Sequence, residues 1–207
     1  MEMQKQKHML ERAIKLIFTI GMVVNFMLSC TDKKPGSTDD TGSDSLLIKY
    51  LALKDSVDKE WQIMIADDDD KHLLMKRLLL EVSYTNNYDK ERFRELNELT
   101  DQLKAMRYDQ NSMSSSALID AYDSATFDLA DQIIVFARSH PRYDDFPLMA
   151  ELIDDINGKN NYILMHRIHY DSRVKDLNTF KKSNREKLLA SDPEVETESM
   201  PLFQLPS

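Results

Sequence analysis

The sequence has few of the residues that let a chain reverse direction. It contains four glycines and six prolines in 207 residues, and between Ser43 and Ala190 only Gly158, Pro141 and Pro147 occur. Hairpin turns depend on such residues, so their scarcity argues against a sheet built from hairpins. Leucine, methionine, lysine, glutamate, aspartate and arginine dominate instead, and most of these favour helices.

Cysteine is also scarce, and basic residues are outnumbered by acidic ones, 27 to 36. Cys30 is the single cysteine, so no intramolecular disulfide can form. The formal net charge is −9, which argues against nucleic acid as a partner, because phosphate binding needs clustered lysine and arginine. Gly-rich phosphate loops and Gly-x-Ser-x-Gly motifs are missing too. The sequence therefore predicts no catalytic residues and no cofactor.

The first thirty residues resemble a bacterial lipoprotein signal. A basic start precedes an apolar run at residues 16–28, which is shorter than the ~20 residues that span a bilayer. The run ends at Ser29 and Cys30, and in such signals the chain is cut before the cysteine, whose thiol is diacylated. We predict a signal peptide over 1–29, a lipid anchor at Cys30 and an extracytoplasmic location, with the membrane and leaflet left open. An uncleaved anchor with a free thiol is the alternative.

Three further segments follow the signal. Residues 30–44 are polar and contain proline, glycine and serine, which is typical of a flexible tether. Residues 45–190 are predicted to form one all-α antiparallel bundle of about four helices with a long C-terminal helix. Residues 191–207 are an acidic and then apolar tail. Its apolar part, Met200 to Pro206, lies either in a groove of the bundle or on a partner.

Helix boundaries are predicted from capping residues and prolines. The first helix is expected to begin at Asp44 or Ser45, and the second to follow Asp89, since aspartate and serine are good N-caps. The fourth is expected to run from Pro147 to Leu189, because proline is tolerated in the first helical turn.

The first helix contains four consecutive aspartates, Asp67 to Asp70. Adjacent carboxylates repel each other, and aspartate is a poor helix former. The run is therefore either a break between two helices or a solvated patch on one long helix. A cation site is a third interpretation, although no glycine-containing loop gathers the four carboxylates around one ion.

The C-terminal helix carries a seam of residues at alternating four- and three-residue steps, as expected where one helix faces others. Two seam positions, Asn160 and Arg167, are polar. A charge at a seam is costly unless paired, so we expect Arg167 to meet an acid: Asp128 or Asp131 of the third helix, or Glu60 of the first. The seam consists of Met149, Ile153, Ile156, Asn160, Ile163, Arg167, Tyr170, Val174 and Leu177.

The same helix contains two histidines in the pattern His166-x-x-His169. Di-iron sites in bundles need two Glu-x-x-His pairs and two more glutamates, and no Glu-x-x-His occurs in this sequence. A lone pair of this kind usually faces solvent. We therefore predict no metal site.

Part of the sequence resembles the LemA family. The pattern that carries the resemblance consists of Asn161, Ile163, Arg167, Tyr170, Val174 and Asn178. Further similarities lie at Trp61, at His140 to Tyr143, at Phe146, at Leu152 and at Pro201 to Phe203. The resemblance implies an antiparallel bundle of long helices and no established enzymatic activity.

These observations favour a membrane-anchored binding or scaffolding module at the envelope, with an envelope protein as a possible partner. Asn160, Arg167 and Asn178 are its candidate interaction residues. One alternative is a ligand-binding protein or enzyme with a polar pocket around Arg167 and Asn160. The other is a structural protein that associates with itself along the long helix. A cavity beside Arg167 would favour the pocket, and a filled core would favour the module.

Overall fold

A computed structural model describes residues 40–203. Within this range four α-helices occur and no strand does, which confirms the all-α fold with a long C-terminal helix. We number them α1 to α4. Two short 3-10 turns, Ser112–Ser114 and Tyr143–Asp145, lie in the connections. The helices are α1 Asp40–Ser83, α2 Lys90–Ala105, α3 Ser116–Arg138 and α4 Pro147–Ser191.

Most helix ends follow the predicted signals. The Asp89 carboxylate accepts hydrogen bonds from two backbone N–H groups and caps α2, and α4 begins at Pro147. Helix α1 begins at Asp40, four residues before Asp44, so the predicted start is wrong. No proline lies between Asp40 and Asp44, and Gly42 disfavours a helix without blocking it, so the helix extends through this stretch.

Helix α1 passes through the four aspartates without a break. Lys159 of α4 donates to Asp67 Oδ1 at 2.6 Å and to Asp70 Oδ2 at 2.9 Å. Arg107, in the connection after α2, bonds Asp68 at 3.0 Å and Asp69 at 2.8 Å. Each carboxylate therefore has a basic partner from another element, which offsets the repulsion that predicted a break.

The two long helices run antiparallel. Contacts join Glu60 to His166 and Lys71 to Asn160, so positions rise along α1 as they fall along α4. At both ends of α4 the predicted seam is buried: Met149, Ile153, Ile156, Tyr170, Val174 and Leu177. Between Ile156 and Tyr170 no residue of α4 is buried. Across this stretch polar side chains join α4 to α1.

The beginning of the tail lies against the bundle. Phe203 is buried, and its ring stacks on Trp61 with centroids 6.3 Å apart. Asn178 clamps the backbone of Met200 by one donated and one accepted hydrogen bond, both 2.9 Å. The backbone N–H of Phe203 donates to Asp171 Oδ1 at 2.8 Å. Met200 to Phe203 therefore occupy a groove of the chain's own bundle.

None of the helices within residues 40–203 contains a stretch long and apolar enough to cross a membrane.

Candidate functional site

Arg167 forms a two-pronged ion pair with Asp123 of α3. Its Nη atoms donate to the two carboxylate oxygens at 2.6 and 2.7 Å, and one of them also donates to the Tyr108 hydroxyl at 2.8 Å. The guanidinium lies 5.0 Å from the Phe203 ring centroid, within range of a cation–π contact. The arginine thus uses its forked Nη donors and a planar face.

The expected acidic partner was on the right helix but at the wrong residue. Asp128 and Asp131 of α3 are exposed, and Glu60 of α1 approaches His166 instead. Helix α3 presents Asp123 to α4 in the layer where Arg167 lies. A sequence predicts which residues share a helix face, but the sliding register between two helices depends on packing.

Burial shifts the acid–base behaviour of this layer. Burial raises the pKa of Tyr108 to about 12, although Arg167 opposes the shift. For Arg167 burial disfavours the charge, but the hydrogen bonds and the charge of Asp123 prevail and hold its pKa above the ordinary value. Arg167 consequently keeps its positive charge beside Asp123.

Lys71 of α1 is the residue of this site that the sequence reasoning missed. It is only 2% exposed, and its ammonium makes one hydrogen bond, to Asn160 Oδ1 at 2.6 Å. Burial lowers the pKa of Lys71, against the attraction of Asp68 and Asp123, and the nearby charge of Arg167 lowers it further. An ammonium has three donors, so its capacity exceeds this single bond.

A signal for Lys71 does exist in the sequence. From Met64 onward, one set of buried residues of α1 recurs at four- and three-residue steps, and Asp68 and Lys71 occupy two consecutive positions of that set. The set is Met64, Asp68, Lys71, Met75, Leu78 and Val82. A charged pair at successive seam positions marks a polar layer inside a bundle.

Asp68 is neutralised by other residues. The Tyr122 hydroxyl donates to its Oδ2 at 2.5 Å, and Arg107 donates to the same oxygen at 3.0 Å. Burial, together with the charge of Asp68, raises the pKa of Tyr122, so the hydroxyl keeps its proton as a donor. The carboxylate that could best offset Lys71 is thus shared with an arginine.

These side chains surround a cavity of about 240 Å³ where α1, α3 and α4 meet. The buried Nε of Arg167 has no hydrogen-bond partner within residues 40–203. The exposed side chains of Phe127 and Leu164 lie beside the polar groups. The lining consists of Asp68, Lys71, Tyr122, Asp123, Thr126, Phe127, Asn160, Ile163, Leu164 and Arg167.

Two larger grooves are weaker candidates. One, of about 620 Å³, lies among α1, α2 and α3, but its buried His140 is hydrogen-bonded to Thr85 at 2.7 Å and its Arg92 to Gln132 at 2.7 Å. The other, of about 690 Å³, is bordered by the tail. It contains the buried Lys181, which faces the tail's acidic residues rather than a neutral cavity.

The sequence-predicted site residues separate into two places. Asn160 and Arg167 both line the cavity. Asn178 instead bonds the tail at Met200 and is not part of the cavity lining. Cys30 lies outside the described residues.

No protein-family model, curated protein or solved structure matches this chain. The resemblance to the LemA family therefore stays a prediction from the quoted residues.

Proposed function

We propose that this protein is a LemA-like, lipid-anchored binding module outside the cytoplasm, and that its cavity binds a carboxylate group. The observation that carries the proposal is Lys71, a buried ammonium with one neutral hydrogen-bond partner at an open cavity. Burying a charge without a matching partner is costly. A bound carboxylate would supply the missing charge and acceptors.

The charges around the cavity support an anionic ligand. Arg167 is paired with Asp123, and Arg107 is paired with Asp68 from outside the lining. Arg107 also bonds Asp69, whose charge Lys104 balances. Subtracting these two pairs leaves the positive charge of Lys71. Asn160 and the unpartnered Nε of Arg167 add neutral and charged polar groups beside it.

The size and rim of the cavity restrict the ligand. At about 240 Å³ it is smaller than typical ligand pockets of roughly 300–1,000 Å³, so it suits one end of a molecule. Phe127 is 64% exposed and Leu164 47% exposed, and apolar groups next to the carboxylate would cover them. The ligand class is thus an apolar carboxylate, either a small acid or the C-terminal residue of a partner protein.

This arrangement favours the pocket over a purely structural role. A paired Arg167 in a filled core was the expected mark of a scaffold, and Arg167 is indeed paired. The space beside it, however, is lined by a second buried cation that needs a partner. Self-association along α4 would leave the buried charge of Lys71 without a matching partner, so it does not explain why Lys71 is buried.

The test is calorimetric titration of the full-length protein in detergent with two probes. One probe is 4-phenylbutyrate, and the other is a short peptide ending in phenylalanine, with its amidated form as a comparison. Lys71→Met removes the charge at similar volume, and Lys182→Met, on an exposed part of α4, is the matched control.

We expect wild type and Lys182→Met to bind a carboxylate probe and Lys71→Met to bind at least about tenfold more weakly, which corresponds to ~1.4 kcal/mol. Binding of the free-acid peptide alone identifies a protein partner, and binding of phenylbutyrate identifies a small acid. Equal binding by Lys71→Met, or no binding of either probe by wild type, contradicts the carboxylate site.

The anchor is tested separately by mass spectrometry of protein isolated from a bacterial membrane. We expect a diacylated Cys30 at the mature N-terminus. An unmodified Cys30 in a chain that retains Met1 would contradict the anchor and leave the cavity proposal unaffected.

A further inference from the structure

Two histidines and a glutamate meet on the other face of the α1–α4 contact. His166 and His169 lie one turn apart on α4, and Glu60 approaches them from α1. None of the three lines the carboxylate cavity. Glu60 and His166 are partly buried, with 18% and 15% of their side chains exposed, whereas His169 is about half exposed.

The distances are close to those of a metal site. Glu60 Oε2 lies 3.4 Å from His166 Nδ1 and 4.0 Å from His169 Nδ1, and one ligand atom from each residue lies within 4.8 Å of the others. Zinc bonds nitrogen and oxygen at about 2.0–2.1 Å in tetrahedral sites, which places ligand atoms about 3.3 Å apart. The Glu60–His166 separation is close to this value, and binding an ion would require the half-exposed His169 ring to move toward Glu60.

A second carboxylate lies beside His166. Asp67 Oδ2 lies 3.4 Å from His166 Nε2, on the opposite side of the ring from Glu60. Asp67 is itself held by Lys159 at 2.6 Å. Histidines that bind metals commonly donate their other ring N–H to a carboxylate, which fixes the tautomer and raises ligand basicity. With Nε2 protonated toward Asp67, the Nδ1 lone pair points toward Glu60.

We propose that Glu60, His166 and His169 bind one divalent transition-metal ion of the zinc class, with Asp67 positioning His166. Imidazole and carboxylate donors suit zinc, cobalt, nickel and copper better than calcium or magnesium. Three protein ligands leave one position of a tetrahedral ion open to solvent on the His169 side. The ion would connect the middles of α1 and α4, where α4 has no buried residue.

The competing explanation is a histidine that carries two protons and bridges two carboxylates. In that case Glu60, His166 and Asp67 form an ion-pair chain, and His169 has no role. The two explanations differ in whether the exposed His169 matters and whether a metal ion binds at all.

The experiment is a titration of untagged full-length protein in detergent with Co²⁺, followed by its visible absorption and then by displacement with Zn²⁺. The variants are His169→Gln, which removes an exposed ligand, and Asp67→Asn, which removes the orienting group. Asp70→Asn is the matched control, because Asp70 also accepts from Lys159 and makes no recorded contact with His166 in the described structure.

We expect wild type and Asp70→Asn to show the intense spectrum of four-coordinate Co²⁺, which Zn²⁺ abolishes because it binds such sites more tightly. Asp67→Asn should weaken the affinity roughly 10–100-fold, and His169→Gln by at least about tenfold. Zn²⁺ should raise the midpoint temperature of thermal unfolding for wild type and not for His169→Gln. A wild type with no Co²⁺ spectrum and no thermal shift, or a His169→Gln protein that matches wild type, overturns the site.

Discussion

Replacing Lys71 by methionine should make the protein more stable while removing its proposed ligand binding. Lys71 is 2% exposed, so folding strips its ammonium of water, and Asn160 returns one hydrogen bond. Methionine has a similar length and no charge. Asn160 loses its partner at little cost because it is exposed and water replaces the lysine.

The expected gain is about 1–2 kcal/mol in the free energy of unfolding at neutral pH. Replacing a buried ion pair by apolar residues of similar volume is often neutral or stabilising by about 1–4 kcal/mol, and removing Lys71 alone resembles that case because Asp68 and Asp123 keep their arginine partners. We take the lower part of that range because Asp68 and Asp123 attract the ammonium.

The gain should shrink at alkaline pH. Burial holds the pKa of Lys71 below the ordinary 10.5, so between the folded pKa and 10.5 the unfolded chain binds more protons than the native one. Within this window, the titration of Lys71 makes the free energy of unfolding of the wild type rise with pH. Above that window both states are neutral and the charge no longer penalises folding. The methionine variant lacks this slope, and the buried tyrosines act equally on both proteins.

Urea unfolding of full-length protein in detergent, followed by circular dichroism from neutral pH to about pH 10, measures both effects. Lys182→Met should stay within about 0.5 kcal/mol of wild type, as exposed substitutions usually do. A loss of more than about 1 kcal/mol in Lys71→Met, with no dependence on pH, would refute the view that this lysine serves a ligand rather than the fold.

Three further outcomes are expected from unfolding measurements. Phe203→Ala should cost about 3 kcal/mol through lost packing and should make the tail more susceptible to proteolysis; an unchanged stability would mean that the tail does not dock. Gly158→Ala should stabilise by about 1 kcal/mol, because an added Cβ meets nothing within 4 Å, and a destabilised variant would contradict the open space there. Burial raises the pKa of both Tyr108 and Tyr170 to about 12, so stability should be retained below pH 10 and fall between pH 10 and 12, by up to about 3 kcal/mol per tyrosine. Tyrosinate absorbance that appears before unfolding would contradict this.

Gly158 is a position where the sequence alone misleads. A glycine inside a helix suggests that a neighbouring helix packs closely against it, yet a Cβ added at Gly158 would meet nothing within 4 Å. For the aspartate run, in contrast, contacts exist that the sequence did not suggest. Its local chemistry predicts a break or a solvated patch, but Lys159, Arg107 and Lys104 arrive from elsewhere in the chain and pair with it. Neither outcome is visible without knowing which elements meet.

By itself the sequence determined the helical class, the cap at Asp89, the long final helix from Pro147 and the buried ends of its seam. These depend on local propensity and on a periodicity that a single helix displays. Only the tertiary structure decided that Asp123 pairs with Arg167, that Lys71 reaches Asn160, and that Glu60 meets the two histidines. Each joins residues more than forty positions apart, and their alignment depends on the register that packing selects between long helices.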